Sequence, residues 1–273
     1  MVHTKNGAFE ALIQDYCNKV GEQVGSVQTL LTYRHISSAH PRDVLANIHS
    51  EVHRMSGAAH CMGFRDLGNR LSRLERKLKK VLHRPVPEIE PVLQDAEERL
   101  VQINSVLPDI TPENSRVLQL LNPTEEGEGA SGSLNDEAVK VMLSGLRILI
   151  ADDDPFVRAL LETTLKDMSV GETKSVTSGL EVLGAIQAFK PDIVMTDWQM
   201  EPMSGFELLR CIRSGETPVA ADTPIIFFTG EEDRSYMQSA LSYGADRFLR
   251  KPVSPDILQK SLVHIVREKA GVL

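Results

Sequence analysis

The sequence has little cysteine, no long apolar run and no excess of positive charge, and each shortage excludes something. Its three cysteines, Cys17, Cys61 and Cys211, are scattered and lack CxxC spacing. That excludes a disulfide framework or a cysteine zinc site and fits a reducing compartment. No apolar stretch approaches the roughly 20 residues a membrane helix needs, and the first residues lack the apolar core of a signal peptide. The expectation is a cytoplasmic protein with no membrane insertion. Lysine and arginine number 30 against 38 aspartates and glutamates, a net charge of −8. Residues 1–110 carry 14 basic against 13 acidic groups, residues 111–145 carry 2 against 6, and residues 146–273 carry 14 against 19. Neither half is basic enough to hold nucleic acid by charge, and no such partner is expected. Internal repeats are also lacking.

What is present is the make-up of a globular protein, 41% hydrophobic and 25% charged over 273 residues, long enough for two domains. Residues 1–110 read as four amphipathic helices: about Gly7 to Leu31, one from Pro41, one carrying Leu67, Leu71, Leu74, Leu78 and Leu82, and about Pro87 to Val106. Short connections between such helices predict an antiparallel helical bundle. Residues 111–145 weaken into an acidic, Gly/Ser-rich stretch around Asn122 to Ser133, expected as a linker, with a short helix at Val117 to Leu121. From Leu146 onward, strand-like runs alternate with helices five times. The pattern predicts an α/β, doubly wound (βα)5 parallel sheet of the flavodoxin-like type over residues 146–273.

In an open parallel sheet, ligands bind beyond the carboxyl ends of the strands. The ionisable residues of this half fall there: Asp152, Asp153 and Asp154 after the first strand, Asp197 after the third, Thr229 at the end of the fourth and Lys251 after the fifth. Gathered carboxylates repel one another and need a cation, and hard oxygen donors without nearby Cys or His pairs favour Mg²⁺. Such a site suits phosphoryl transfer, with carboxylate as nucleophile and metal, lysine and hydroxyl neutralising the phosphoryl oxygens. A single Asp after a strand is as readily a helix N-cap, but four strand ends bearing Asp-Asp, Asp, Thr and Lys-Pro in order are not explained by capping.

This half resembles the receiver domains of two-component response regulators. The resemblance implies Asp197 as phosphoacceptor, Asp153 as direct metal ligand with Asp152 as its helper, and Thr229 and Lys251 as phosphoryl contacts. It further implies that Gln199 offers the metal its backbone carbonyl, and that Phe248 is an aromatic switch that moves inward on phosphorylation. Gln199 departs from the commoner Asn, which leaves the lifetime of the phosphate open. A competing reading is a haloacid-dehalogenase-like phosphatase using the Asp152-x-Asp154 spacing, although Phe156 stands where that family has Thr or Val.

On the second helix, His49, His53, Ser56 and His60 share one stripe beside the apolar stripe through Val52, Met55 and Ala59. His53 is therefore expected at the bundle's edge, partly exposed, with Gly57 removing bulk beside it. A neutral imidazole is a good phosphorus nucleophile. A helical histidine is more commonly an ordinary boundary residue, and the small residues could simply allow close packing. His53-Arg-Met-Ser-Gly57 followed by a Leu-rich helix resembles histidine phosphotransfer (HPt) domains, which implies that His53 carries the phosphoryl group. The departure is Ser56, where a lysine is usual; its hydroxyl, Arg54 or a basic residue of the third helix is expected to compensate. The stripe Arg70, Arg73, Lys77 and Lys80 is expected as a solvated face or as a dock for a receiver's acidic rim. Together the halves read as a phosphorelay signalling protein, not an enzyme in the metabolic sense. Its expected partners are sensor histidine kinases and other receiver or HPt proteins. The alternative is a phosphorylation-switched adaptor whose bundle only docks or dimerises.

Overall fold

The computed structural model describes residues 7–34, 40–121, 136–230 and 234–271, in two compact units, Met1–Thr124 and Glu125–Leu273. The first is a bundle of α1 (Gly7–Tyr33), α2 (Pro41–Cys61), α3 (Arg65–Val81) and α4 (Val86–Asn104). Apolar residues at three- and four-residue spacing turn one stripe of each helix inward: Ile13, Tyr16, Val20 and Val24 from α1, Ile48, Val52 and Met55 from α2, Leu67, Leu71, Leu74 and Leu78 from α3, and Leu93, Ala96 and Leu100 from α4. Pro41 opens α2, and the side chain of His40 accepts from the Arg42 N–H. The α2–α3 turn requires Gly63, which has φ +89° and so close a neighbour that a Cβ would lie 2.7 Å from the backbone nitrogens of Arg116 and Val117.

The second unit has β1 (Arg147–Ala151), β2 (Glu172–Val176), β3 (Ile193–Thr196), β4 (Ile225–Thr229) and β5 (Arg247–Arg250). All neighbours are parallel, in the order β2-β1-β3-β4-β5. β1, β3 and β4 are buried almost throughout, as expected for strands covered on both faces. The connecting helices are α7 (Pro155–Asp167), α8 (Gly179–Phe189), α9 (Gly205–Arg213), α10 (Arg234–Ser242) and α11 (Pro255–Lys269), numbered after α5 and α6 below. The chain leaves β1 toward β2 and returns to β3 on the other side. This reversal opens a crevice at the carboxyl ends of β1 and β3.

The expected linker at 111–145 is folded at both ends. The helix α5 (Arg116–Leu121) closes onto the bundle, with Leu118 buried and the Ser115 hydroxyl donating to the Met62 carbonyl at 2.7 Å. Near the sheet, α6 (Asp136–Ser144) packs on α11, burying Val139 and Leu143, and the Leu143 carbonyl accepts from the Gly171 N–H at 3.2 Å. The acidic Gly/Ser stretch itself, residues 122–135, lies outside the described residues.

Candidate functional site

Four adjacent strands deliver the polar residues of the crevice. Asp152 follows β1, Asp197 follows β3, Thr229 ends β4 and Lys251 follows β5; all four are buried. The Lys251 ammonium donates to Asp152 Oδ2 at 2.6 Å and to Asp197 Oδ2 at 2.8 Å. The other oxygen of Asp197 accepts from the Trp198 N–H at 2.6 Å, and Asp152 Oδ1 accepts from the Asp154 N–H at 3.0 Å. Burial raises the Asp152 carboxyl to about 7, with Lys251 pulling it down and Asp197 pushing it up. Asp153 joins them: carboxylate oxygens of Asp152, Asp153 and Asp197 lie within 4.8 Å of one another. Three carboxylates against one ammonium leave an excess of negative charge on hard oxygen donors. That donor set fits a divalent cation such as Mg²⁺.

Gln199 is half-buried in the loop after β3, two residues past Asp197. Phe248 is also half-buried and already stacks on the buried Phe227, ring centroids 5.1 Å apart. Asp154 has a different task, since its Oδ1 caps α7 by accepting from the Phe156 and Val157 N–H groups at 2.8 and 3.0 Å. The Asp154 side chain thus acts as a helix cap, while Asp152 and Asp197 are the two carboxylates that share Lys251.

In the bundle, α2 and α3 run antiparallel and meet along the histidine stripe. His53 Nδ1 lies 2.7 Å from Glu75 Oε1, and their side chains are only 14% and 13% exposed. His53 is thus more enclosed than expected, because α3 covers it. An ionised carboxylate only accepts, so the Nδ1 N–H donates to Glu75 and Nε2 is the ring nitrogen left outside that bond. Burial would raise the Glu75 carboxyl, but the hydrogen bond from His53, with the Lys79 charge nearby, holds it below its usual value. His49 lies one turn before His53 with its ring nearly parallel, centroids 6.4 Å apart. Burial lowers its imidazole to about 4, so it is neutral. Ser56 does not supply a hydroxyl to this edge: it is buried and bonded to Ser72 Oγ at 2.7 Å, with the Gly68 carbonyl at 3.4 Å. Arg54 pairs with Glu51. In the basic stripe Arg73 and Lys80 are exposed, as expected of a solvated face, while Lys77 meets Asp95 of α4 at 2.9 Å and Arg70 reaches the Gln102 carbonyl at 3.4 Å.

Residues 148–263 match the family model described as response regulator receiver domain, and residues 11–103 match that described as Hpt domain. The chain joins an Hpt domain to a receiver domain. The receiver half is 27% identical to the chemotaxis protein CheY of Pseudomonas aeruginosa over 126 residues, 46% of this chain and all of that protein. It is 29% identical to chemotaxis protein CheY-3 of Vibrio cholerae over 122 residues, 45% of this chain and 92% of that protein. Among solved structures, chemotaxis protein CheY4 of Vibrio cholerae aligns with a TM-score of 0.41 at 29% identity, covering 44% of this chain and 98% of that one. The two domains and these relatives support two-component phosphorelay signalling. Among the described residues of both domains, no helix is long and apolar enough to cross a membrane.

Two features of the receiver and Hpt domains escaped the sequence reading. In the receiver, Trp198 stacks on Phe206 and leans on Phe227, each at 5.2 Å, and Phe206 meets Tyr243 edge-on at 5.3 Å. An aromatic row thus runs from the residue after Asp197 to a half-exposed tyrosine. In the Hpt domain the missed residue is Glu75, on a helix whose own pattern shows only a leucine stripe.

Proposed function

We propose that the receiver accepts a phosphoryl group on Asp197 and that the Hpt domain carries one on His53, the two being stations of a phosphorelay. The observation that carries this reading is the buried Lys251 ammonium shared between Asp152 and Asp197, with Asp153 beside them. An Asp197 oxygen attacks phosphorus while the bond to the donor breaks, and the leaving imidazole or carboxylate keeps the electron pair. Lys251 and the Thr229 hydroxyl follow the negative charge as it moves onto the phosphoryl oxygens. Asp152, Asp153 and Asp197, with the Gln199 carbonyl, would hold Mg²⁺, which when bound supplies the remaining positive charge. In the Hpt domain, Nε2 of His53 attacks an aspartyl phosphate, the O–P bond breaks and the carboxylate departs. The Nδ1 proton stays, and Glu75 balances the cationic ring that results. The partners by this reading are sensor histidine kinases and other receiver or Hpt proteins, in the cytoplasm.

The burial of Ser56, which leaves no cation at the usual place, favours a second reading in which the bundle only docks or dimerises and the receiver alone is switched. The test is to incubate wild type, His53→Gln and Asp197→Asn with Mg²⁺ and phosphoramidate or a phosphorylated kinase. Intact mass and acid or base lability then locate the phosphate. Base-labile label lost in Asp197→Asn and acid-labile label lost in His53→Gln are the expected results. Label on Asp197 alone supports the docking reading, and no label on Asp197 defeats the proposal.

A further inference from the structure

On the side of α3 turned away from α2, helices α3 and α4 enclose a cleft of about 280 Å³ that opens to solvent and is lined by Arg70, Arg73, Arg99, Gln102 and Ile103. Its floor is apolar, since Ile103 is only 1% exposed. Three of the five lining residues are arginines: Arg70 and Arg73 stand one turn apart on α3, and Arg99 reaches in from α4. Like charges placed one turn apart repel, and a shared apolar floor strengthens the repulsion. The carboxylates beside the cleft do not answer all of these cations. Asp66 takes Arg70 at 3.0 Å, while Asp95 is shared by Arg99 at 2.6 Å and Lys77 at 2.9 Å. Arg73 has no ion pair or hydrogen bond among the described residues, and neither has the exposed Glu98 next to Arg99.

The donor set selects the kind of anion. A guanidinium has five N–H groups, so the paired arginines keep donors to spare even though Arg70 spends one on the Gln102 carbonyl at 3.4 Å. A planar carboxylate is satisfied by one guanidinium fork. Guanidiniums brought together from two helices, with the Gln102 carboxamide as a neutral donor, suit a tetrahedral dianion whose oxygens point several ways. Ser72 and Glu75 face α2, so a ligand in this cleft lies across α3 from His53. It ties α3 to α4 and leaves the histidine's edge open.

We propose that the α3–α4 cleft binds a phosphate dianion, free or as the monoester of a small molecule, between the guanidiniums of Arg70, Arg73 and Arg99. The site does not depend on whether His53 carries phosphate. The test uses the full chain in EDTA with methyl-labelled isoleucine, and the Ile103 signal is assigned from Ile103→Val. Inorganic phosphate, glycerol 3-phosphate, acetate and chloride are titrated at matched ionic strength. The expected result is a saturable shift of the Ile103 methyl with the two phosphates, at a Kd of about 1 mM or lower, and none with acetate or chloride. Arg73→Gln, which breaks no bond within the described bundle, should raise that Kd about tenfold, as for loss of one charge-assisted contact. Lys80→Gln removes a charge from the same stripe but outside the cleft and should change it less than about twofold. Tighter binding of glycerol 3-phosphate than of inorganic phosphate assigns the site to a monoester, and the reverse assigns it to the free ion. A shift that follows ionic strength alike for all four salts overturns the proposal. Equal weakening by Arg73→Gln and Lys80→Gln also overturns it, since general attraction and not a site would then be at work.

Discussion

Replacing Lys251 by Met tests the receiver's charge balance most directly. The lysine is buried with two buried carboxylates at 2.6 and 2.8 Å, and methionine keeps most of its volume while deleting the charge. Removing one partner of a buried ion pair costs about 3–5 kcal/mol, because the remaining charge stays desolvated. For a domain of this size, that corresponds to a fall in Tm of roughly 10–20 °C. The carboxylates can reduce the cost by taking up a proton, and Asp152 is already raised to about 7. Losing the ammonium raises it further. A carboxyl with a raised folded pKa keeps its proton in the native state, and the associated stability is lost as pH rises through that pKa. The variant's deficit must therefore be larger at pH ~8.5 than at pH ~5.5. Mg²⁺ at about a hundredfold excess over its Kd should return about 2.7 kcal/mol by linkage. The chain has one tryptophan, Trp198, bonded through its N–H to Asp197. Its fluorescence reports melting of the receiver alone. A Tm within about 2 °C of wild type at the higher pH in chelator would refute the reasoning. In a double-mutant cycle with Asp152→Asn, the combined loss should fall short of the sum.

A Cβ at Gly205 would lie 2.0 Å from the Asp197 carbonyl oxygen, so Gly205→Ala must shift the acceptor loop. Base-labile labelling by acetyl phosphate should fall at least about tenfold while the receiver stays folded, since displacement of a reacting group by about 1 Å carries losses of that order or more; unchanged labelling would contradict the close approach. Glu75→Ala leaves His53 Nδ1 without its acceptor, and loss of a charge-assisted bond predicts about tenfold or slower acid-labile labelling in a single-turnover assay. His49, lowered to about 4 from 6.5, binds a proton in the unfolded chain before it does in the native one. Bundle stability should fall as pH drops from about 6.5 through about 4, and the lowered Glu75 acts in the same sense at lower pH. Denaturant melts followed by far-UV circular dichroism should show this slope flattened in His49→Phe, and an equal slope in both proteins would disprove it.

The receiver was legible because its information is local in sequence. Buried parallel strands read as continuous apolar runs, and the residues that matter come directly after them, so Asp152, Asp197, Thr229 and Lys251 could be listed from strand ends. The bundle was legible as helices but not as neighbours. Periodicity along α2 shows that His53 shares a stripe with Ser56, yet it cannot show which row of α3 closes over that stripe. Hence Glu75 is not legible in the sequence, and neither is the seam bond to Ser72 that takes up the Ser56 hydroxyl. The nine-residue α6 was read as linker because two buried side chains, Val139 and Leu143, make too short a pattern beside Gly/Ser-rich sequence.

The order β2-β1-β3-β4-β5 also bears on when the site comes into being. Its carboxylates follow β1 and β3, but the ammonium that holds them together follows β5, the last strand among the described residues. A nascent receiver that has paired only its first three strands displays an unbalanced acidic cleft. If Asp197 is the phosphoacceptor proposed above, the charge balance that it needs is complete only once β5 has joined the sheet.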